Sequence, residues 1–343
     1  MADFFDDSVL DDPVALGRVD PVLRVVAESG SRVRREAAEA AEAIDLAVTS
    51  GLGGVGPRAI VAAGPDSRLL RAVLEPWCPV PFVAWPGSSL PGWAGALDLV
   101  LVLAPVGSDT DAASAVAEAV RRGCQVVVAC QRRSLVAEHA VGRDAVVLPA
   151  ESGDQLATAV VMLQFLGRVG LGPETSAESV ASALDRVAVE CSPQRDLAVN
   201  PAKILAIALG EGNPLLWGGT PLSARAARRV AEAIRRSSGR GAIAADAEHL
   251  LPLIRSAPER DVFADPFADE GPAERRPVLV IFDDGSGEAV VRENRGRLTE
   301  AADAAGVRIE VVTSEDADDV ARYAALLATG SYVAAYLGLG LSR

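Results

Sequence analysis

The most strongly patterned stretch of the chain is 97–122, LDLVLVLAPVGSDTDAASAVAEAVRR. An unbroken apolar run at 99–104 passes through a short turn holding Gly107, Ser108 and Thr110. A helical period then begins at once, with Asp109 and Asp111 in its first turn. A continuous apolar run followed by an amphipathic stretch predicts a strand buried on both faces that feeds a helix.

The same alternation recurs along most of the chain. Further strands are predicted at 59–64, 79–85, 125–130 and 145–149, with helices at 66–74 and 134–140. Before them, 1–20 reads as mobile or loosely docked, 23–48 as one or two helices, and 51–58 as a glycine loop. After them, 155–167 and 176–190 read as helices joined by the turn VGLGPE. NPAKILAIAL (200–209) begins with an N-cap Asn and a Pro at the first helical position. The rhythm then restarts, with strands at 213–219, 241–246, 277–284 and 307–314 and helices at 223–237, 288–305 and 316–339. The stretch 258–276 is a Pro- and acid-rich loop.

Strands alternating with helices predict an α/β protein with doubly wound parallel sheets. The rhythm occurs twice at a period above 100 residues, which is a duplicated domain and not a solenoid. The expected divisions are an N-terminal helical segment (1–50), a first α/β subdomain (51–168), a helical linker (169–212) and a second α/β subdomain (213–343).

Composition narrows the function. Half of the 343 residues are hydrophobic and only 4% aromatic, as suits parallel strands covered by Ala-rich helices. A net charge of −14 speaks against nucleic acid or an anionic membrane as partner. An anionic metabolite would need a local pocket of backbone amides and arginine. Lys203 is the only lysine; the other 32 of 33 basic residues are arginine. Cys78, Cys124, Cys130 and Cys191 have no CxxC spacing and are expected to be reduced, mostly buried thiols. The acidic N-terminus carries no apolar leader and no apolar run approaches a membrane span, so a cytoplasmic protein is expected. Two histidines and no paired thiols leave no basis for a zinc site or other metal, and no cofactor is expected.

Several turns carry candidate chemistry. GLGGVG (51–56) precedes its strand, whereas a dinucleotide loop follows its strand and opens a helix, so it reads as a turn. Gly64 and Ser67 in AAGPDSRLL fit either a ligand wall at the sheet's carboxyl edge or an ordinary strand–helix turn. Gly107, Ser108, Thr110 and Ser114 fit phosphate binding at a helix N-terminus. They fit local helix capping equally well. Gly218, Gly219, Thr220 and Ser223 repeat the layout in the second half. Arg225, Arg228 and Arg229 beside them fit a sugar phosphate or, more simply, a solvated helix face. His249, close to Asp246 and Glu248, is either a general acid/base or a structural residue.

The duplicated halves, the NPAK helix at 200–203 and the C-terminal ARYAALLATGSYVAAYLGLGL together resemble the bifunctional phosphoglucose/phosphomannose isomerases of the sugar isomerase (SIS) superfamily. The likeness is closest to the actinobacterial TobH-like branch and runs from about residue 30 to the end. The resemblance implies two tandem SIS-type subdomains, a homodimer and a hexose phosphate ligand held in the cleft between the subdomains. The family's phosphate loop reads close to SYSGNTEET; here the segment is APVGSDTDAAS, with Thr110 matching a hydroxyl and Gly107 standing where a Ser is expected. The family's catalytic Glu lies in an NEN-type turn, and here RRSSGRG (235–241) supplies only Ser237 or Ser238. His249 is the candidate for the family's His, and no lysine follows Lys203 to stand for the C-terminal one. An active isomerase would move a proton between C1 and C2 of a hexose 6-phosphate through an enediol. His249 would open the ring, and Asp246 or Glu248 would replace the missing base. The alternatives are a catalytically inactive sugar-phosphate sensor or scaffold, and a structural dimer with an empty cleft.

Overall fold

The computed structural model describes residues 4–51, 56–258, 275–316 and 318–341. Half of the expected glycine loop (52–55) and most of the acid-rich loop (259–274) lie outside the described residues. Two compact units make up the chain. One is Ser29–Ser182; the other joins Met1–Glu28 to Ala183–Arg343.

Helix α1 (Pro13–Ala27) belongs to the second of these units, and α2 (Ser29–Thr49) opens the first. The 29–182 unit continues with β1 (Ile60–Ala63), α3 (Ser67–Leu74), β2 (Phe82–Trp85), β3 (Leu99–Ala104), α4 (Thr110–Arg121), β4 (Gln125–Cys130), α5 (Leu135–His139), β5 (Ala145–Pro149) and α6 (Gln155–Arg168). Its five strands are all parallel, in the order β2-β1-β3-β4-β5. β1 and β3 are buried at every position, as unbroken apolar strands covered on both faces must be. β2 starts later than its apolar pattern, at Phe82. Pro79 and Pro81 have no N–H to give a ladder, and the Pro81 carbonyl instead accepts from Ile60 (2.8 Å). α6 is apolar almost all round because α2 covers the side turned away from β3 and β4.

Helix α7 (Ala177–Glu190) leads to α8 (Pro201–Gly210), β6 (Asn213–Gly218), α9 (Pro221–Ser238), β7 (Ile243–Ala244), α10 (Ala247–Arg255), β8 (Pro277–Asp283), α11 (Ala289–Ala304), β9 (Arg308–Thr313) and α12 (Asp319–Leu341). The four strands are again parallel, ordered β7-β6-β8-β9. The expected α/β class with parallel sheets is therefore the observed one, although the strand expected at 241–246 shrinks to two residues. α12 is 23 residues long and its most apolar 18-residue stretch has mean hydropathy 1.5, enough in length and composition to cross a membrane, yet 72% of that stretch is buried, and the helix packs on α1, α8 and α9. It is a core helix of its unit.

The N-terminal segment departs from expectation. It is docked, not loose. The ring of Phe5 lies against Gly210 and Gly340, and the Asp6 N–H donates to the Gly340 carbonyl (2.9 Å). Leu10 is fully buried, and the Asp11 carboxylate accepts from Lys203 Nζ (2.6 Å). The Asp12 carboxylate accepts from the N–H groups of Val14 and Ala15, starting α1 at Pro13. The two apolar anchors, Phe5 and Leu10, and the ion pair are scattered through an acidic stretch, so no period announced them.

Candidate functional site

In a parallel sheet every strand ends at the same edge, and ligands favour the crevice where successive connections leave in opposite directions. In the 29–182 unit that switch point lies between β1 and β3. The turn after β1 carries Gly64 and Ser67; the turn after β3 carries Gly107, Ser108 and Thr110.

The β1 turn is tight. Gly64 has φ +87° and donates its N–H to the Trp85 carbonyl (3.1 Å), and the Ser67 N–H donates back to the Gly64 carbonyl (3.2 Å). Ser67 is 1% exposed, and its hydroxyl has no hydrogen-bond partner among the described residues. A buried hydroxyl left unpaired costs about 1–3 kcal/mol, so its presence calls for a reason.

The β3 turn is shaped by Gly107. Its φ is +70°, and a Cβ there would lie 2.6 Å from Ser134 Cβ in the next strand–helix turn. The Asp109 carboxylate accepts from the Ala112 N–H (2.8 Å), so capping is real at this helix start. Asp111 adds a second carboxylate to the first turn. Ser108, Thr110 and Ser114 are exposed, and none of their hydroxyls has a partner among the described residues. Capping therefore occupies Asp109 and leaves the three hydroxyls unengaged.

Two residues that sequence reasoning missed complete this edge. Arg132 lies 3.7 Å from Glu151, whereas Arg133 beside it is exposed and makes no ion pair among the described residues. The signal was present: QRRS occupies the same strand–turn–helix position after β4 as the Gly107 turn does after β3. Glu36, fully buried on α2, accepts from the N–H groups of Glu151 (2.7 Å) and Ser152 (2.6 Å) and fixes the turn after β5. No local pattern marks a helix residue that acts 115 positions away.

The other unit repeats the geometry with different chemistry. Its switch point lies between β6 and β8. Thr220 and Ser223 form a reciprocal capping box for α9, and the Thr220 hydroxyl also donates to the Asp284 carboxylate after β8. A Cβ on Gly218 would overlap the Ser223 backbone, so this glycine serves close packing of α9 on β6. Gly219 sits against Val291 and Trp217. The arginines of α9 are engaged as a paired helix face: Arg229 with Glu232 (2.8 Å), Arg228 near Asp246 (3.6 Å), and Arg225 with a partner as well.

Asp246, Glu248 and His249 open α10 at the carboxyl end of β7, on the other side of β6 from Asp284. Asp246 and Glu248 are about 70% exposed in their side chains (71% and 70%). Arg297 donates to Glu248 at 2.6 Å, and this bond together with the guanidinium charge holds the carboxyl below the usual glutamate range. His249 is exposed and its imidazole makes no hydrogen bond among the described residues. Ser237 and Ser238 donate back to the Ile234 carbonyl inside the last turn of α9 (3.3 and 2.7 Å). The structure thus gathers Gly64, Ser67, Gly107, Ser108 and Thr110 at one sheet edge, with Ser114 one turn along α4. It gathers Gly218, Gly219, Thr220, Ser223, Asp246, Glu248 and His249 at the carboxyl edge of the other sheet.

Comparison with known proteins agrees with this architecture. Residues 198–341, under half of the chain, match the family model of the bacterial phospho-glucose isomerase C-terminal SIS domain. No curated protein matches the chain by sequence. Among solved structures, the chain is similar to a proposed phosphosugar isomerase of Silicibacter pomeroyi (TM-score 0.64, 15% identity, covering 92% of this chain and 96% of that one). It is also similar to tagatose-6-phosphate ketose/aldose isomerase of Escherichia coli (TM-score 0.61, 13% identity, 93% of each chain). A third is a glucose-6-phosphate isomerase like protein of Thermus thermophilus (TM-score 0.51, 20% identity, covering 88% and 87%). At such identities the likeness concerns the fold, and that fold is the one seen in phosphosugar isomerase structures.

Proposed function

We propose that this chain binds a hexose phosphate through the carboxyl edge of its five-stranded sheet. The observation that carries this is the set of unpaired hydroxyls at the β1/β3 switch point: Ser67, buried, and Ser108, Thr110 and Ser114, exposed. Phosphate oxygens accept hydrogen bonds, and these groups are donors left over after the local structure is satisfied. Arg133 supplies a cation at the same edge, where a guanidinium suits a phosphate. The match of 198–341 to a phospho-glucose isomerase SIS domain supports a sugar phosphate over other anions. The likeness to the TobH-like branch, which rests on sequence motifs, supports the same reading.

Binding without turnover is the form of this reading we favour. A proton shuttle between C1 and C2 needs a base whose pKa approaches the working pH. Glu248 is moved the other way by Arg297, and Asp246 is a half-paired surface carboxylate. The test is calorimetric titration with glucose 6-phosphate, fructose 6-phosphate and mannose 6-phosphate, with a coupled isomerase assay on the same sample. Micromolar to low-millimolar binding that the Ser108→Ala/Thr110→Val double variant weakens at least tenfold is the expected result. Absence of binding overturns the reading. Turnover abolished by His249→Ala or Glu248→Gln overturns the non-catalytic form of it alone.

A further inference from the structure

Three of the four tryptophans are substantially exposed: Trp77 (60%), Trp93 (47%) and Trp85 (38%). Two of them sit at the amino edge of the five-stranded sheet. Trp77 precedes β2, and Trp93 lies under the Arg58 guanidinium (5.9 Å to its ring centre), which also holds Asp98 just before β3. Trp85 is different, because it ends β2 at the carboxyl edge. Its carbonyl accepts from Gly64, the first residue of the β1 turn. Its indole Nε1 lies 3.7 Å from where a Cβ on Gly87 would stand, so the ring folds along its own turn at that edge. The indole N–H has no hydrogen-bond partner among the described residues.

We infer that Trp85 is the platform on which the sugar ring of the ligand stacks, one strand away from the hydroxyls that hold its phosphate. This rests on the phosphate-binding reading of the β1/β3 edge. Adjacent strands are about 5 Å apart, which is roughly the width of a pyranose ring. A ligand with its phosphate over β1 and β3 and its carbon skeleton toward β2 therefore brings its ring within reach of Trp85. A pyranose presents an apolar C–H face and a rim of hydroxyls. An indole offers a flat apolar face with one polar donor at its margin, the matching surface. Stacking of this kind selects the closed ring over an open-chain sugar and contributes nothing to phosphate itself.

Binding to the full chain is measured by calorimetry with three probes: inorganic phosphate, glucose 6-phosphate, and the acyclic glucitol 6-phosphate. Trp85→Leu is expected to weaken glucose 6-phosphate about 3- to 10-fold while leaving phosphate and glucitol 6-phosphate within twofold. Trp85→Phe, which keeps a flat ring, is expected to retain most of the affinity. Equal affinity of Trp85→Leu and wild type for glucose 6-phosphate overturns the stacking role and leaves the phosphate site standing. An equal loss for all three probes also overturns it, because Trp85 would then act through the Gly64 turn. If the wild-type chain binds no probe, the phosphate reading fails and the stacking role fails with it.

Discussion

Single residues in this protein separate into groups that the fold has used and groups it has left over. Lys203 belongs to the first kind. It is fully buried, and its ammonium spends its three donors on Asp11 (2.6 Å) and on the carbonyls of Pro193 and Arg195 (3.0 Å each). The one lysine in the sequence invites a catalytic reading, but its geometry is that of a clasp joining α8 to the docked N-terminal segment. Lys203→Met keeps the apolar stem and strands the two carbonyls, so urea denaturation should show a loss of about 2–4 kcal/mol. Ser67 belongs to the second kind. Its buried hydroxyl loses no hydrogen bond when removed, so Ser67→Ala should leave the ligand-free protein as stable as wild type or up to about 1 kcal/mol more stable. The same change should lower hexose phosphate affinity. A stability loss above 1 kcal/mol in that variant would show that the hydroxyl has a structural partner and is not held in reserve for a ligand.

At the scale of elements, the two sheets share a topology and differ at their switch points. After β6 and β8 the crevice is bridged from within, Thr220 to Asp284, and Thr220 and Ser223 cap each other. After β1 and β3 the equivalent hydroxyls, Ser67 buried and Ser108 and Thr110 exposed, have no hydrogen-bond partner among the described residues. Thr220→Val should therefore lower stability by about 1 kcal/mol through lost capping and leave ligand affinity unchanged. Thr110→Val should do the reverse, with calorimetry and denaturation on both variants as the check. The strands, their burial and the class of fold were legible from apolar runs such as 99–104 and 125–130, because buried parallel strands tolerate no polar interruption. The candidate turns were legible because Gly, Ser and Asp punctuate strand–helix junctions. What the sequence hid was partnership. Thr220 as a donor to Asp284 and Arg297 as the holder of Glu248 are set by residues 64 and 49 positions apart, and these pairings appear only once the sheets have assembled. The docking of 5–11 was missed for the same reason, since its partners on α8 and α12 lie about 190 residues or more away.

For the molecule as a whole, the core beneath α8 and α12 sets a limit on alkaline stability. Tyr336 donates to the Cys191 carbonyl (2.7 Å), stacks on Tyr332 (centroids 6.3 Å apart) and lies under Lys203 (5.9 Å). Burial pushes the Cys191 thiol up to about 12, raises Tyr332 to about 12 and drives Tyr336 higher still. In the unfolded chain these groups ionise near about 8.5 for Cys and 10 for Tyr. Below those values both states are protonated and the contribution of the cluster is fully present. As pH rises from about 9 toward about 12, the unfolded chain loses protons that the folded one keeps, and each loss favours unfolding. Urea midpoints should accordingly hold steady from pH 7 to about 8.5 and fall progressively above it. Cys191→Ala removes the first group to titrate, at the cost of a small cavity. Its midpoint should therefore start lower at pH 7 and decline less steeply between pH 8.5 and 10 than that of wild type. Parallel declines in the two proteins over that interval would mean that the Cys191 thiol ionises as readily folded as unfolded, and that the core formed by α8 and α12 admits water.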